Sequence, residues 1–360
     1  MQKIKCAIIG CGRISYKHVE GIANNDSEMK LVAVCDIIEE RAIEKRDEYL
    51  ERFPDRDVKV YTDYKKMLEE VEIDMCSIST ESGYHGEIAL YCLEQSKHVL
   101  IEKPMAMSLE EIDKINKLAD EKGLKVGVCH QNRFNPPIQK LKKTIDANKF
   151  GKMTNITARV LWNRNQNYYN LAPWRGTKAL DGGTLMNQCI HALDLLLWMM
   201  DDELVSVKAE TETFLRDIEM EDYGVILMRF KSGRIGLLEG SADVYPKNLE
   251  ETISVFGSTG TAVIGGLAVN EIKTWVFEDE SETEELEDDK SIDNVYGNGH
   301  TPLYKDFIHA INTDTQPLIN GHEGRKPVEV LMKAYGWIEW YNILKINKLS
   351  ILIESLFQFN

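Results

Sequence analysis

The sequence predicts an α/β protein in two parts: a doubly wound parallel sheet, then an α+β domain on a mostly antiparallel sheet. Three observations carry that expectation. At 360 residues the chain is longer than most single domains, so two parts can each bury a core. Up to about residue 129, short apolar runs alternate with longer charged segments of helical period. Beyond residue 151 the rhythm changes to strand-like runs joined by short turns.

The first part contains the runs IKCAIIG, KLVAVCD, DMCSIST, KHVLIEK and LKVGVCH. Their hydrophobicity is continuous rather than alternating, which implies strands covered on both faces, as in βαβ units. Helices fit between them. In SLEEIDKINKLADEKG, Ser108 is the expected N-cap, Glu111 completes a capping box and Gly123 is the stop. A helix-like stretch, NPPIQKLKKTIDANKFG, leads into the second part. There, KMTNITARVLWNR, VSVKAETETFLRD, YGVILMRFKSGRIGLLEGSAD and ETISVFGSTGTAVIGG read as strands, with turns at 231–234 and 257–260. Helical texture returns at 302–312 and 325–346, and the apolar LSILIESLFQF near the end reads as a packed or interface helix. The expected division is 1–130 for a nucleotide-binding domain and 131–360 for a substrate and oligomerisation domain, whose last helices pack back on the first.

Composition narrows the partners. Fifty-nine acids against 43 bases give a net charge of −16, and EDESETEELEDD at 278–289 alone holds nine acids. Such a protein repels phosphate backbones, which argues against nucleic acid or an anionic membrane as partner; the run itself reads as a solvated loop. The longest membrane-like stretch, ALDLLLWMM, contains Asp194 and falls far short of the ~20 residues a span requires. Seven scattered cysteines without a C-x-x-C pair read as reduced, buried thiols in a cytoplasmic protein.

Gly10, Gly12 and Ser15 form G-x-G-x-x-S between the first strand and a helix beginning near Arg13 and Ile14. The first glycine permits a tight turn and the second lets the backbone approach a pyrophosphate, while the helix N-terminus offers N–H donors. Asp36 ends the next strand 24 residues after Gly12, where a carboxylate accepts from both ribose hydroxyls and repels a 2′-phosphate. With Ile37 and Ile38 following it, NAD is expected over NADP. The bland alternative is a glycine turn with an acidic strand end. IEKPMA puts Lys103 at the carboxyl end of the KHVLIEK strand, facing a ligand crevice; the alternative is a surface lysine in a β-α turn. In DGGTLMNQCIHALD, Asn187 and His191 share the i, i+4 spacing of one helix face.

The glycine loop, the acid after the second strand, E-K-P and then D-G-G-x-x-x-N-Q-x-x-H-x-x-D together resemble the glucose-fructose oxidoreductase and inositol dehydrogenase family (Gfo/Idh/MocA) across nearly the whole chain. Within it, Y-Y-x-x-x-x-W-R-G-T at 168–177 is similar to the branch that oxidises the 3″-hydroxyl of UDP-N-acetylglucosaminuronate for surface polysaccharide. The resemblance implies a Rossmann domain, an open-faced antiparallel sheet, bound NAD, a homotetramer and coupling to a sugar aminotransferase. Expected cofactor contacts are Gly10, Gly12, Arg13, Ile14, Asp36, Ser79, Thr80, Glu102, Lys103, Asn132 and Arg133. Expected substrate contacts are Lys103, Arg164, Tyr168, Tyr169, Trp174, Arg175, Asn187, Gln188 and His191. His191 has the pKa range of a general base, and Lys103 can hold the hydroxyl oxygen. Asn187 stands where the family usually has Asp; a neutral amide spares a polyanionic sugar a further negative charge. Readings left open are a free-sugar or inositol dehydrogenase, an NAD-dependent redox glycosidase, and a dinucleotide-bound regulator without turnover.

Overall fold

A computed structural model describes residues 3–279 and 297–337. Strands β1 (Ile4–Ile9), β2 (Met29–Cys35), β3 (Lys59–Tyr61), β4 (Met75–Ile78), β5 (His98–Ile101) and β6 (Val126–Val128) form a parallel sheet in the order β3-β2-β1-β4-β5-β6. Order reverses between β1 and β4, and that switch point opens a crevice at the carboxyl ends of the strands. Five of the six are the five apolar runs. The sixth, β3, is a three-residue edge strand with no buried residue, too short to stand out in the sequence. Ser108 caps the helix Leu109–Lys122 by accepting the Glu111 N–H at 3.1 Å, and Gly123 ends it in the left-handed region at φ 66°.

The second sheet has strands β7 (Met153–Leu161), β8 (Leu204–Glu212), β9 (Tyr223–Phe230), β10 (Ile235–Ser241), β11 (Glu250–Gly257), β12 (Gly260–Gly265) and β13 (Glu271–Phe277), in the order β13-β12-β11-β7-β10-β9-β8. Neighbours are antiparallel except β7 and β10. Both expected turns connect strands, with Gly233 at φ 88° in the first. One face is buried through alternate residues such as Ile156, Ala158, Val160, Ile226 and Met228. The helix Ile190–Met200 lies on that face; a Cβ added at Gly236 would come within 2.9 Å of Leu196, so glycine there admits the close approach. This packing delivers the start of that helix to the crevice of the first sheet.

The helices His300–Thr313 and Gly321–Ala334 return to the first sheet. Tyr304 packs where a Cβ on Gly21 would otherwise sit, and Val128 of β6 donates its N–H to Ile319 at 2.9 Å. The seven cysteines are buried and unpaired. No described helix is long and apolar enough to cross a membrane. Most of the acidic run, the helical texture beyond 337 and the apolar tail lie outside the described residues.

Candidate active site

A cavity of about 1230 Å³ runs from the glycine loop to the start of the second domain. At its first end Gly10 adopts φ 93°, and an added Cβ would lie 2.5 Å from the Ser79 carbonyl carbon. The Ser79 hydroxyl donates to the Gly10 carbonyl at 2.7 Å, tying β1 to β4. At Gly12 an added Cβ meets no protein atom within 4 Å, so here the backbone is open to a pyrophosphate-sized group. The helix Ser15–Asn24 has neither a side-chain cap nor an acid in its first turn, leaving its N–H donors suited to an anion. Asp36 accepts from the Cys11 N–H at 2.7 Å and the Ile38 N–H at 2.9 Å while lining the cavity. The carboxylate therefore shapes the glycine loop as well as lining the cavity. Arg13, Ile14 and Thr80 line the same wall. These residues fit a dinucleotide.

At the other end Lys103 donates from Nζ to the Asn187 carbonyl at 2.8 Å and to its Oδ1 at 3.3 Å. Asn187 and His191 do not share one helix, as their spacing suggested. A short helix, Thr184–Asn187, ends at Gln188, and the next begins at Ile190. The break has a use: it leaves the last carbonyl of the short helix to accept Lys103. Both residues nonetheless line the cavity. Burial pushes the Lys103 pKa below the usual lysine range, against the opposing charges of Glu102 and Asp181. Burial also drives His191 well below the ordinary histidine value, with Lys103 and His130 adding to it, so the imidazole is neutral at pH 7 and able to accept a proton. His130 stands edge-on to His191, ring centroids 5.5 Å apart.

Three guanidinium groups surround Tyr168: Arg175 at 4.3 Å, Arg164 at 5.3 Å and Arg13 at 5.8 Å from its ring centroid. The Tyr168 hydroxyl accepts from Arg175 at 2.5 Å and from Gln188 at 3.2 Å, and Gln188 in turn accepts from Arg164 at 3.1 Å. Trp174 lies under Arg175, 4.6 Å from its guanidinium carbon. Arg13, expected beside the cofactor, thus also leans toward the second-domain residues.

Some expectations need correction. Arg133 does not face the cavity: it is 1% exposed, forms a bidentate pair with Asp194 at 2.7 and 2.8 Å, and reaches Glu323 at 3.0 Å. Asn132 is buried against Glu251 at 3.4 Å, and it is the adjacent Gln131 that lines the cavity. Tyr169 packs edge-on against Tyr168, ring centroids 5.2 Å apart, and stays out of the cavity wall. Glu102 reaches the wall, but its carboxylate is engaged underneath, by His18 at 3.1 Å, His300 at 3.4 Å and the Lys103 N–H at 3.2 Å. Burial works to raise its pKa; the two histidines outweigh burial and hold it well below the usual carboxylate range. This buried network anchors the backbone that carries Lys103. His18 and His300 lie outside any motif in the sequence, and no local signal pointed to them.

Comparison with known proteins agrees with this geometry. The profile of an oxidoreductase family with an NAD-binding Rossmann fold matches residues 4–130, and that of the GFO/IDH/MocA C-terminal domain matches 138–263. The WlbA dehydrogenase of Bordetella pertussis, solved with NADH and UDP-GlcNAcA, is 34% identical, with a TM-score of 0.82 over 93% of this chain and 96% of that one. The Chromobacterium violaceum WlbA dehydrogenase, solved with the same two ligands, is 35% identical, with a TM-score of 0.81 over 93% of each chain. The myo-inositol 2-dehydrogenase of Thermotoga maritima is 24% identical over 89% of this chain and 92% of its own length. A dinucleotide cradle on one side of the cavity, a lysine and a neutral histidine on the other, and profiles spanning both domains agree: the chain belongs to the GFO/IDH/MocA family, as an NAD-dependent dehydrogenase acting on CH–OH groups.

Proposed function

We propose that the protein oxidises the 3″-hydroxyl of UDP-N-acetylglucosaminuronate to the 3-keto sugar. The observation that carries this reading is the gathering of Arg13, from the glycine loop, and Arg164 and Arg175, from the second domain, around Tyr168 in the cavity that Lys103 also lines. Arginine binds carboxylate and phosphate in a planar fork. A uronate with two phosphates uses several such groups, whereas a free polyol offers no anion to any of them. Two relatives above 30% identity were solved with this sugar nucleotide, which supports the same reading.

In this scheme NAD, when bound, supplies the hydride acceptor. His191 takes the hydroxyl proton as a neutral imidazole, and Lys103 donates to the oxygen and favours its alkoxide character. Asn187 holds Lys103 in place. Oxidation of a secondary alcohol by NAD is uphill near neutral pH, so a following aminotransferase or a second oxo substrate draws the reaction forward. A cytoplasmic homotetramer is part of the same proposal.

The test is incubation with NAD and UDP-N-acetylglucosaminuronate, with and without a 2-oxo acid, read by mass spectrometry. A product lighter by two hydrogens is expected. An unchanged sugar nucleotide in both reactions, with NAD bound, refutes the substrate and turns attention to inositols and glycosides.

A further inference from the structure

Asp181 opens the stretch that supplies Asn187 and His191, yet it is 2% exposed and lines no part of the cavity. Its two oxygens have separate tasks. Oδ2 accepts the Gly176 N–H at 2.6 Å, and Oδ1 accepts the Asn187 side-chain N–H. An amide held by its nitrogen has only its oxygen left to present. Asn187 Oδ1 accordingly faces Lys103 at 3.3 Å and the Gln188 amide at 3.1 Å. A buried carboxylate thus stands one step behind Lys103, with an amide between them.

We propose that Asp181 is a positioning residue for Lys103: it fixes the Asn187 amide with its oxygen toward the lysine and sets a buried negative charge behind the pair. The inference rests on the assignment of Lys103 to the reacting hydroxyl, not on the identity of the sugar. The arrangement keeps negative charge out of contact with an anionic substrate while still opposing the loss of the lysine's proton. Burial raises the Asp181 pKa to about 6, against the Gly176 N–H and the charges of Lys103 and Arg175, so the carboxylate is ionised from neutral pH upward. The other charges acting on Lys103 are Glu102 beneath it and Arg164 and Arg175 from the second domain.

Hydrogen-bond directions supply a sharp test. In Asp181→Asn the introduced oxygen can still take the Gly176 N–H, but the introduced NH₂ then meets the Asn187 NH₂, donor to donor. The Asn187 amide must turn, presenting its nitrogen to Lys103. The double variant Asp181→Asn/Asn187→Asp restores the 181–187 pairing with its polarity reversed and leaves the other directions as they were: the introduced amide donates to the introduced carboxylate, which contacts Lys103 directly.

The titration of Lys103 is read by NMR on protein labelled with ¹³Cε-lysine, the signal being identified by its loss in Lys103→Arg. This needs no substrate, so failure of the sugar nucleotide to react leaves it intact. In Asp181→Asn the Lys103 titration moves to lower pH, and kcat on whichever alcohol the wild type oxidises falls about 10–100-fold, as expected of a misplaced catalytic group. The double variant returns the titration to the wild-type position or above and recovers at least about tenfold of the lost kcat. An unmoved Lys103 titration in Asp181→Asn, whatever happens to thermal stability, assigns Asp181 to the Gly176 turn alone and overturns the proposal. So does a double variant whose Lys103 still titrates as in the single one.

Discussion

Replacing Asp36 tests the cofactor end of the site, and the structure changes which number is worth measuring. The carboxylate accepts two main-chain N–H groups, from Cys11 at 2.7 Å and Ile38 at 2.9 Å, and Asp36 is 9% exposed. A hydrogen bond to a charged acceptor contributes roughly 1.5–3 kcal/mol, and an orphaned buried donor costs about as much. Asp36→Ala removes the acceptor from both; with water entering from the cavity, we expect a folding penalty of about 2–4 kcal/mol. The glycine loop then loses its brace, and every dinucleotide binds less well. Absolute NAD affinity therefore mixes two effects. The ratio of NAD to NADP affinity cancels the loop damage and keeps the ribose contribution, because only that part depends on the 2′ substituent. We expect the ratio to fall at least about tenfold, or ~1.4 kcal/mol. Calorimetric titration with both cofactors gives the ratio, and urea unfolding gives the penalty. An unaltered ratio beside a lost 2–4 kcal/mol would make Asp36 a loop brace only; unaltered stability would refute the hydrogen-bond account.

His191→Ala should lower turnover by ~10²–10⁴ while NAD binding, followed by calorimetry, stays as in the wild type. Because burial holds His191 well below the ordinary histidine pKa, the acid limb of kcat/KM should lie below the usual histidine range; a limb above it would remove the neutral imidazole from the mechanism. Gly10→Ala forces a Cβ to 2.5 Å from the Ser79 backbone at a φ of 93°, so it should cost about 3 kcal/mol or more and abolish NAD binding; wild-type unfolding midpoints would contradict the fold of the loop. Glu251, 2% exposed, has a pKa raised by burial to about 8 despite Arg164, so it folds in its protonated form. Its contribution is fully present below about 4.5 and is lost as pH rises to about 8, where the unfolded chain holds fewer protons. Glu251→Gln should therefore gain stability relative to the wild type across that window, by up to about 5 kcal/mol in urea unfolding, and a pH-independent difference would deny the buried titration.

Much of the fold was legible because its signals are local. The apolar runs of the first sheet, the Ser108 cap, the Gly123 stop and both hairpin turns follow from the chemistry of a few neighbouring residues. The edge strand Lys59–Tyr61 was not legible, since three residues, none of them buried, carry no period. The site was legible where a motif fixes a backbone: Gly10 and Gly12 at the turn, Lys103 at a strand end, His191 at the start of a helix. It failed where a spacing was taken for continuity. Asn187 and His191 stand four apart, but the chain breaks between them, and the freed carbonyl holds the lysine.

By itself, then, the sequence determined the order of elements, the dinucleotide loop and the set of polar groups available for chemistry. Only the tertiary structure decided which of those groups face the cavity. From the sequence both Arg133 and Arg164 are expected at the ligand site, the first as a cofactor contact and the second as a substrate contact. One is held inside by Asp194, 61 residues away, and Glu323, 190 residues away; the other lines the cavity beside Gln188 and Tyr168. A long charged side chain goes where its counter-charge is, and that partner is set by packing between elements distant in the chain. Asp181 has no role assigned from the sequence; only the folded chain brings its carboxylate to the Gly176 N–H and the Asn187 amide together.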